Sequence, residues 1–475
     1  MGDLKTIKHG GIFNFRGLEV SGTLSLSNDG RGELTLIPPN DIDSRRLFDL
    51  SQDDPNRFHI HGLLSSGGLV TLPDAILTSS RVGLTSYGTS EYLFICNTVL
   101  FGDVAHKTSD IQFDACRYRM TCVEFWLGRQ SVEHSYTRKG MRLDVFESDP
   151  IKLEVDDGFG EKILILFDKQ NYIKIDDYNI KIEEEEFIWI IPLKCKSREW
   201  FDEMHHKIWQ LFSIICGESI KTIEQKFYKI NSGRPRSLIG KWKKLSNQMS
   251  GAYEVKRHMP DYSYPAEFDH QLMLTKISDF KNIPNLFESW LKIYPELRYT
   301  AGLTISNLRK DDNYIESKIA INAQALEAIH RYRYPDRTTI ASKKEFKEIR
   351  QWVFDNLPQE YMESREFINN RLPNINMYSI KNRMADIFCD ARGILEKITI
   401  EISPEELAQK FGDMRNNTAH GTSSGGETMS MVMMQRITYL IAEYHFLILL
   451  GMSDELASQI CTKYYLRRFK VAKFS

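Results

Sequence analysis

Hydrophobic and polar residues alternate with a period of two along much of the first 200 residues of the chain. Turn-forming segments such as NDGRG and SSGG separate short runs of β-branched and aromatic residues, which include GIFNF, GTLSLS, GELTLI and KILILF. Because successive side chains of a strand point to opposite faces, this alternation is typical of antiparallel strands with one buried face. The pattern predicts a β-rich domain over residues 1–200.

The period of the hydrophobic pattern lengthens near residue 197. From there hydrophobic residues recur three and four positions apart, as in REWFDEMHHKIWQLFSIICGES. This spacing places them on one face of a helix. Helical patterns then dominate to the end of the chain. We therefore predict an α+β multidomain protein, in which the β-rich domain is followed by a helical middle region at 201–305 and an all-α helical bundle at 306–475,.

The composition is that of a globular protein, with 42% hydrophobic residues, 27% charged residues and a formal net charge of −2 over 475 residues. Since the chain has no overall positive charge, local basic patches must supply any binding of nucleic acid. The first residues lack the apolar segment of a secretory signal, and the most apolar stretch, 437–450, is interrupted by Glu443 and His445,. We expect a cytoplasmic protein that does not bind membranes.

The residues predict neither a metal site nor a cofactor. The seven cysteines contain no C-x-x-C pair and are predicted to be reduced and mostly buried,. His59 and His61 alternate along a predicted strand, but no third ligand stands beside them at metal-binding spacing,. Four consecutive glutamates, 183–186, alternate between the two faces of a strand, which is poor geometry for one cation,. We interpret these glutamates as a solvated strand edge.

The last third of the chain has the clearest helix boundaries. The segment Ser403-Pro404-Glu405-Glu406 supplies an N-cap, a proline at the first helical position and a capping-box glutamate,. The helix that begins there is predicted to end near Arg415, before the loop GTSSGG. A long apolar helix is then predicted from Glu427 to Leu450,.

The segment R-N-N-T-A-H, residues 415–420, combines three side chains that suit the cleavage of a phosphodiester. Arg415 offers a planar, permanently charged fork for phosphate oxygens. His420 can move a proton near neutral pH. Asn416 can orient a neighbouring group by hydrogen bonds. With the ribose 2′-hydroxyl as nucleophile, this chemistry acts on RNA and needs no metal.

Spacing alone is weak evidence for such a site. Roughly 0.7 arginine–histidine pairs five residues apart are expected by chance in a chain of this composition. A second pair, Arg129 and His134, lies in the β-rich half without an asparagine after the arginine. An ordinary polar helix end, with Arg415 near the negative end of the helix dipole and His420 exposed, is an equally good interpretation of the spacing.

The segment R-N-x-x-x-H at a helix end in a C-terminal bundle resembles the active-site motif of the HEPN superfamily. The first half, with FHIHGLLSSGGLVTLPDA and NTVLFGDVAH followed by DIQFDACRYRM and EFWLG, resembles the N-terminal domain of ApeA-type anti-phage defence proteins. The resemblance implies a metal-independent endoribonuclease that cleaves host or phage RNA, such as tRNA, in abortive infection. It also implies a homodimer formed through the HEPN domain and a phage-encoded trigger that acts at the N-terminal domain.

Carried over by position, the resemblance assigns charge stabilisation to Arg415, proton transfer to His420 and positioning to Asn416. Glu327, on an earlier helix of the bundle, is a candidate helper, although a solvent-facing glutamate is the simpler interpretation. Asp413, two residues before Arg415, is a candidate for orienting the guanidinium.

Two basic segments are candidate RNA contacts, because cations interleaved with aromatic residues bind single strands by charge and base stacking. Their candidate residues are Lys463, Arg467, Arg468 and Lys470 in the tail, and Arg234 and Arg236 in RPRSLIGKWKK. Solvated helix ends would have the same composition. The competing functional hypothesis is a HEPN domain without catalysis, which binds a nucleotide or a partner protein.

Overall fold

The computed structural model describes residues 7–27, 32–38, 57–81, 90–101, 112–129, 132–137, 140–146, 148–175, 180–230, 237–247, 252–257, 273–307, 314–337, 339–398, 402–419 and 428–469. The chain forms two compact units. The first consists of Met1–His206 and Ile220–Tyr264, and the second consists of Lys207–Ser219 and Pro265–Ser475.

The first unit is rich in antiparallel strands, as the alternating pattern predicts. Its strands are β1 (Ile7–Phe15), β2 (Leu18–Leu26), β3 (Gly32–Ile37), β4 (Arg57–Leu64), β5 (Leu69–Arg81), β6 (Glu91–Cys96), β7 (Thr98–Phe101), β8 (Gln112–Phe113), β9 (Ala115–Met120), β10 (Val132–Thr137), β11 (Gly140–Val145), β12 (Ile151–Asp156), β13 (Lys162–Ile175), β14 (Ile180–Pro192), β15 (Lys196–Ser197), β16 (Thr222–Tyr228) and β17 (Ala252–Arg257). Helices α1 (Val123–Leu127), α2 (Arg198–Cys216) and α3 (Leu238–Asn247) accompany them, and α2 continues into the second unit.

Six of these strands close on themselves to form a barrel-like sheet. Strand β1 pairs with β2 and β4, β3 pairs with β2 and β6, and β5 pairs with β4 and β6. The interior is apolar, and Phe15, Phe58 and Phe94 meet there with ring centroids 5.2 to 5.6 Å apart. Edge-to-face aromatic contacts of this kind add to the stability that burial provides.

The barrel continues into an open antiparallel sheet through a further pairing of β5 with β7. The order of this sheet is β7-β17-β16-β9-β14-β13-β12. Trp189 of β14 packs edge-on against Trp242 of α3, with ring centroids 5.1 Å apart, in a core formed between the sheet and that helix.

The interpretation of the four glutamates as solvated is wrong for Glu186, which is 3% exposed. The glutamates lie in β14, where all four pair with β13, while the pairing of β14 with β9 covers only residues 188–190. Glu184 pairs with Lys169 at 3.0 Å, and Glu186 pairs with Arg129 at 2.6 Å. The cations that neutralise these acids are remote in sequence, so the local pattern does not contain them.

The middle region at 201–305 is less helical than the spacing predicts. It contributes β16 and β17 to the open sheet, where β16 lies between β9 and β17. Seven- and six-residue strands are too short to outweigh the helical spacing on either side of them in a sequence window,.

The second unit is helical. Its helices, besides the end of α2, are α4 (Ile283–Ser306), α5 (Ile315–Arg333), α6 (Lys343–Asp355), α7 (Arg365–Ile375), α8 (Ile380–Asp390), α9 (Arg392–Leu395), α10 (Pro404–Ala419), α11 (Thr428–Leu449) and α12 (Asp454–Arg468). The predicted fold class, α+β with a β-rich region followed by an all-α bundle, is therefore confirmed.

The directions of three helices determine where the end of α10 lies. Helices α5 and α8 run parallel, since their side-chain contacts advance together along both: Glu327–Arg383, His330–Asp386 and Arg333–Asp390. Helix α10 runs antiparallel to α8, since its contacts run in opposite directions: Glu405–Cys389 and Asp413–Lys381. The C-terminal end of α10 therefore lies beside the N-terminal end of α8.

Two further expectations concern cysteines and membranes. None of the seven cysteines, all of which lie in the described ranges, forms a disulfide, and five of them are buried as predicted. Among the described helices, none combines the length and the hydropathy that crossing a bilayer requires.

Candidate active site

Helix α10, which contains the R-N motif, begins as its sequence predicts. The hydroxyl of Ser403 accepts a hydrogen bond from the backbone N–H of Glu406 at 3.1 Å, and Pro404 occupies the first helical position. The carboxylate of Glu406 pairs with Lys410 at 3.3 Å. The helix continues to Ala419 instead of ending near Arg415, because no proline or further glycine interrupts it after Gly412,. Arg415 and Asn416 therefore lie inside its last turns.

Arg415 continues the inward-facing stripe of α10. Leu407, Ala408 and Phe411 are buried, and Phe411 packs against Phe388 of α8 with ring centroids 6.0 Å apart. Residues four apart lie on the same face of a helix, so Arg415 follows Phe411 on this face. The guanidinium thus stands where the apolar core ends, and the side chain is half-buried.

The guanidinium of Arg415 is oriented by Asn416 and has no counterion among the described residues. Its Nη1 donates a hydrogen bond to Oδ1 of Asn416 at 3.3 Å. Within the described ranges no carboxylate lies within ion-pair distance of it, whereas Arg333 and Arg383 of the same bundle pair with Asp390 and Glu327. An oriented, half-buried arginine without a counterion is suited to binding an anion.

Four of the predicted site residues cannot be placed. His420 follows Ala419 directly in the sequence but lies outside the described residues, as do Lys470, Arg234 and Arg236. The same holds for the side chain of His134, the histidine of the second arginine–histidine pair. The convergence of Arg415 and His420 on one groove therefore stays a prediction.

Asp413 contacts a lysine of α8. Its Oδ1 pairs with Nζ of Lys381 at 2.7 Å, and its Oδ2 accepts a hydrogen bond from Gln409 at 3.1 Å. The hydrogen bond from Lys381 lowers the pKa of Asp413 below its usual value, so the carboxylate is ionised at neutral pH,. The described contacts of Asp413 thus orient Lys381, not the guanidinium of Arg415.

Glu327 is not a solvent-facing helix glutamate. Its Oε2 accepts from Nη1 of Arg383 at 3.3 Å and lies 3.5 Å from Nη2 of Arg331. Arg383 is only 4% exposed, and burial lowers the pKa of its guanidinium. Glu327 therefore supplies the negative charge that a buried cation requires.

We expect Glu327→Gln to lower the free energy of unfolding by about 1–3 kcal/mol, because it leaves the Arg383 guanidinium buried with a neutral partner. The turnover of the folded fraction should not change. Chemical denaturation of the variant, beside Glu396→Gln at an exposed glutamate, measures the difference. A loss of turnover with unchanged stability would instead identify Glu327 as a catalytic helper.

Among the described residues of the basic tail, Arg468 differs from the predicted RNA contact. Lys463 and Arg467 are exposed. Arg468, in contrast, donates to Glu218 at 2.6 Å and to the carbonyl oxygen of Gly217 at 3.1 Å. Its charge is already compensated inside the unit, so we remove Arg468 from the candidate RNA contacts.

Arg129, of the second arginine–histidine pair, has a structural role. It forms two hydrogen bonds with the carboxylate of Glu186, at 2.6 and 3.2 Å, and donates to the backbone oxygen of Asp149 at 2.9 Å. Glu186 is 3% exposed, so Arg129 supplies the positive charge that this buried carboxylate requires,.

A partly buried polar network between α5, α8 and α11 was not predicted from the sequence. His330 contacts Asp386 at 2.9 Å through Nε2, and Arg333 contacts Asp390 at 2.6 Å and also His445. A periodic signal was present, because His330 and Arg333 are three apart while Asp386 and Asp390 are four apart,. These residues hold the parallel helices in register.

An open pocket of about 670 Å³ lies among α6, α7 and the 3₁₀ segment Gln359–Ser364. Its lining includes Lys347, Arg350 and Phe354 on one side and Glu363 and Glu366 on the other. None of the predicted site residues lines this pocket, and it adds nothing to the site at the end of α10.

Comparison with known proteins agrees with both halves of the resemblance. The family model "ApeA N-terminal domain 1" matches residues 8–290, more than half of the chain. The model "Apea-like HEPN" matches residues 321–456, a range that includes the R-N-x-x-x-H segment. No curated protein and no solved structure matches significantly. The chain therefore belongs to the ApeA family, with an ApeA N-terminal domain followed by an Apea-like HEPN domain.

Proposed function

We propose that the chain is a metal-independent endoribonuclease of anti-phage defence, with its active site at the end of α10. The observation that supports this most directly is the state of Arg415. The guanidinium is half-buried, is oriented by Asn416 and has no carboxylate partner in the described part of the chain. It lies within the range of the HEPN match, a family associated with RNA cleavage.

The proposed reaction uses the substrate as its own nucleophile. The ribose 2′-oxygen forms a bond to the adjacent phosphorus, and the bond from phosphorus to the 5′-oxygen of the next nucleotide breaks. His420 accepts the proton of the 2′-hydroxyl, and the imidazolium that forms returns a proton to the leaving 5′-oxygen. Arg415 stabilises the negative charge on the phosphorane, and Asn416 holds the guanidinium of Arg415 in the required orientation. The products are a 2′,3′-cyclic phosphate and a 5′-hydroxyl.

The test is incubation of the purified full-length protein with tRNA and total RNA in EDTA. We expect cleavage to persist in EDTA and to leave 2′,3′-cyclic phosphate ends. Replacing the scissile ribose of an oligonucleotide by 2′-deoxyribose should block cleavage at that bond, because the nucleophile is missing. Loss of cleavage in EDTA would contradict the mechanism, and nucleotide binding without cleavage would favour the non-catalytic alternative.

We also propose that the protein is a homodimer through its HEPN domain and that a phage-encoded trigger acts at the ApeA N-terminal domain. Both are implied by the resemblance to ApeA-type proteins, and an unrestrained ribonuclease would be toxic to its host. Light scattering of the same sample tests the dimer. Sequencing of RNA ends from infected and uninfected cells tests the trigger in the intact chain. The intact chain is preferable to a deletion of residues 1–200, which would leave β16 and β17 without β9 and β7.

A further inference from the structure

Lys381 lies across the face of α10 that contains the R-N motif. It is in the first turn of α8, a helix that Ser379 caps by accepting a hydrogen bond from the N–H of Asn382 at 3.2 Å. Its aliphatic stem runs over Gly412, where an added Cβ would stand 2.7 Å from Cγ of Lys381 and 3.3 Å from its Cε. The glycine therefore makes room for the lysine.

Gly412 and the motif share one face of α10. Arg415 and Asn416 follow Gly412 by three and four residues, the spacing at which helical side chains lie above one another,. One helical turn rises about 5.4 Å. The stem of Lys381 thus lies about one turn from the Arg415 position along α10, and Asp413 holds its ammonium group at 2.7 Å.

The Lys381 ammonium retains donors for a ligand. An ammonium group has three N–H donors. The contact described for it is with a single carboxylate, Asp413 Oδ1, at 2.7 Å. The side chain is 32% exposed, so the remaining donors can reach an anion in solvent. Asp413 orients the lysine from the outer side of α10, where it is itself 54% exposed.

We propose that Lys381 binds the phosphate next to the scissile phosphate of the RNA, an inference that rests on the proposed ribonuclease function. Arg415 then binds the reacting phosphate, and Asp413 and Gly412 are the positioning residues for Lys381. A strand of RNA would cross the end of α10 with consecutive phosphates on the two cations. The contact is to the backbone, so it contributes to affinity for any base sequence.

The test is binding of a single-stranded oligoribonucleotide to the full-length His420→Ala protein in EDTA, over a range of salt concentrations. Lys381→Met should weaken binding about tenfold at low salt. It should also reduce the slope of log K against log salt by about 0.7, the change expected for one phosphate contact with a single strand. The matched control is Lys410→Met, which removes a lysine of α10 paired with Glu406 at 3.3 Å. It should change neither quantity.

Gly412→Ala tests the geometry without removing the charge. The added methyl group must displace the lysine stem, while alanine favours a helix more than glycine does, so folding is preserved. We expect weaker binding in Gly412→Ala and no further loss when it is combined with Lys381→Met, since both changes act through the same contact.

The outcomes separate this inference from the function on which it rests. If the wild type cleaves RNA but Lys381→Met binds with unchanged affinity and salt slope, the Lys381 contact is wrong and the ribonuclease stands. Equal losses in Lys381→Met and Lys410→Met would also contradict it, because they would report a general charge effect. If the wild type neither binds nor cleaves RNA, both proposals fail.

Discussion

Arg415→Ala is expected to reduce RNA cleavage about a thousandfold, the typical cost of removing a group that stabilises charge in the transition state. His420→Ala should cost about 10²–10⁴ in the same rate, as expected for a general acid or base. The double variant should be little worse than the worse single variant, because the two residues serve one step. Single-turnover cleavage of a defined RNA measures all three.

The structure indicates that Arg415→Ala will fold. Its guanidinium donates to Asn416 at 3.3 Å, and among the described residues its removal leaves no carboxylate without an ion-pair partner. We therefore expect a change in unfolding free energy of about 1 kcal/mol or less. Arg392→Ala is the matched control, since Arg392 is 56% exposed and lies 3.6 Å from Glu405. It should cleave at the wild-type rate, and an Arg415→Ala protein that also cleaves normally would contradict the proposed site.

Arg415→Lys distinguishes a planar fork from a point charge. Lysine keeps the positive charge but cannot make two parallel hydrogen bonds to a phosphate, and its ammonium cannot reproduce the contact of Nη1 with Asn416 in the same plane,. We expect partial binding of RNA with cleavage still reduced by about a hundredfold.

The second large effect concerns the pH dependence of stability, through Glu443 of α11. Its side chain is 1% exposed, it accepts a hydrogen bond from the hydroxyl of Tyr439, and its Oε2 has no hydrogen-bond partner in the described part of the chain. Burial raises the pKa of Glu443 to about 8. The folded state therefore holds a proton that the unfolded chain releases above its ordinary pKa of 4.5.

The sign follows from proton linkage. Where the folded state binds more protons than the unfolded state, stability falls as the pH rises. The contribution of Glu443 is fully present below about pH 4.5 and is lost progressively up to about pH 8. The free energy of unfolding falls by about 1.4 kcal/mol per pH unit through the loss of this proton. Over the whole window the contribution of Glu443 amounts to roughly 3–5 kcal/mol.

His445, two residues further along α11, has the opposite effect. Arg333 donates to its Nδ1, so Nε2 must bear the hydrogen that is donated to the carbonyl oxygen of Ile387 at 3.1 Å. Burial, with the charge of Arg333, lowers the pKa of His445 to about 3. Its contribution to stability is lost as the pH falls from about 6.5. Between about pH 4.5 and 6.5 the two slopes therefore oppose each other.

Glu443→Gln should remove the pH dependence of stability that is due to Glu443 and leave the one that is due to His445. The variant should gain stability relative to the wild type as the pH rises from 5 to 8, since glutamine has no proton to lose. Between about pH 4.5 and 6.5 the variant alone should show the acid destabilisation due to His445, because in the wild type the opposite effect of Glu443 offsets it,. Native-state hydrogen exchange of α11 amides across this pH range measures the effect locally, so a two-state transition of the whole chain need not be assumed. Parallel pH curves for the two proteins would contradict the protonated state of Glu443.

Features that depend on neighbouring residues could be predicted from the sequence. The run GELTLI coincides with β3 (Gly32–Ile37), because alternation defines a half-buried strand locally,. The start of α10 follows from Ser403 and Pro404, which satisfy the first free N–H groups of the helix and set its backbone angle,. The resemblance to the HEPN motif rests on six consecutive residues, and the family match includes them.

The tertiary structure alone decided which charges are neutralised. Glu327 meets Arg383 at a separation of 56 residues, and Arg468 meets Glu218 at a separation of 250. Lys381 meets Asp413 only because α8 and α10 run antiparallel. An ion pair depends on where remote segments meet in space, and periodicity along one segment has no information about its partner. The sequence by itself thus determined the local elements named above and the motif, while the fold decided that Arg468 meets a carboxylate and that Arg415 meets none among the described residues.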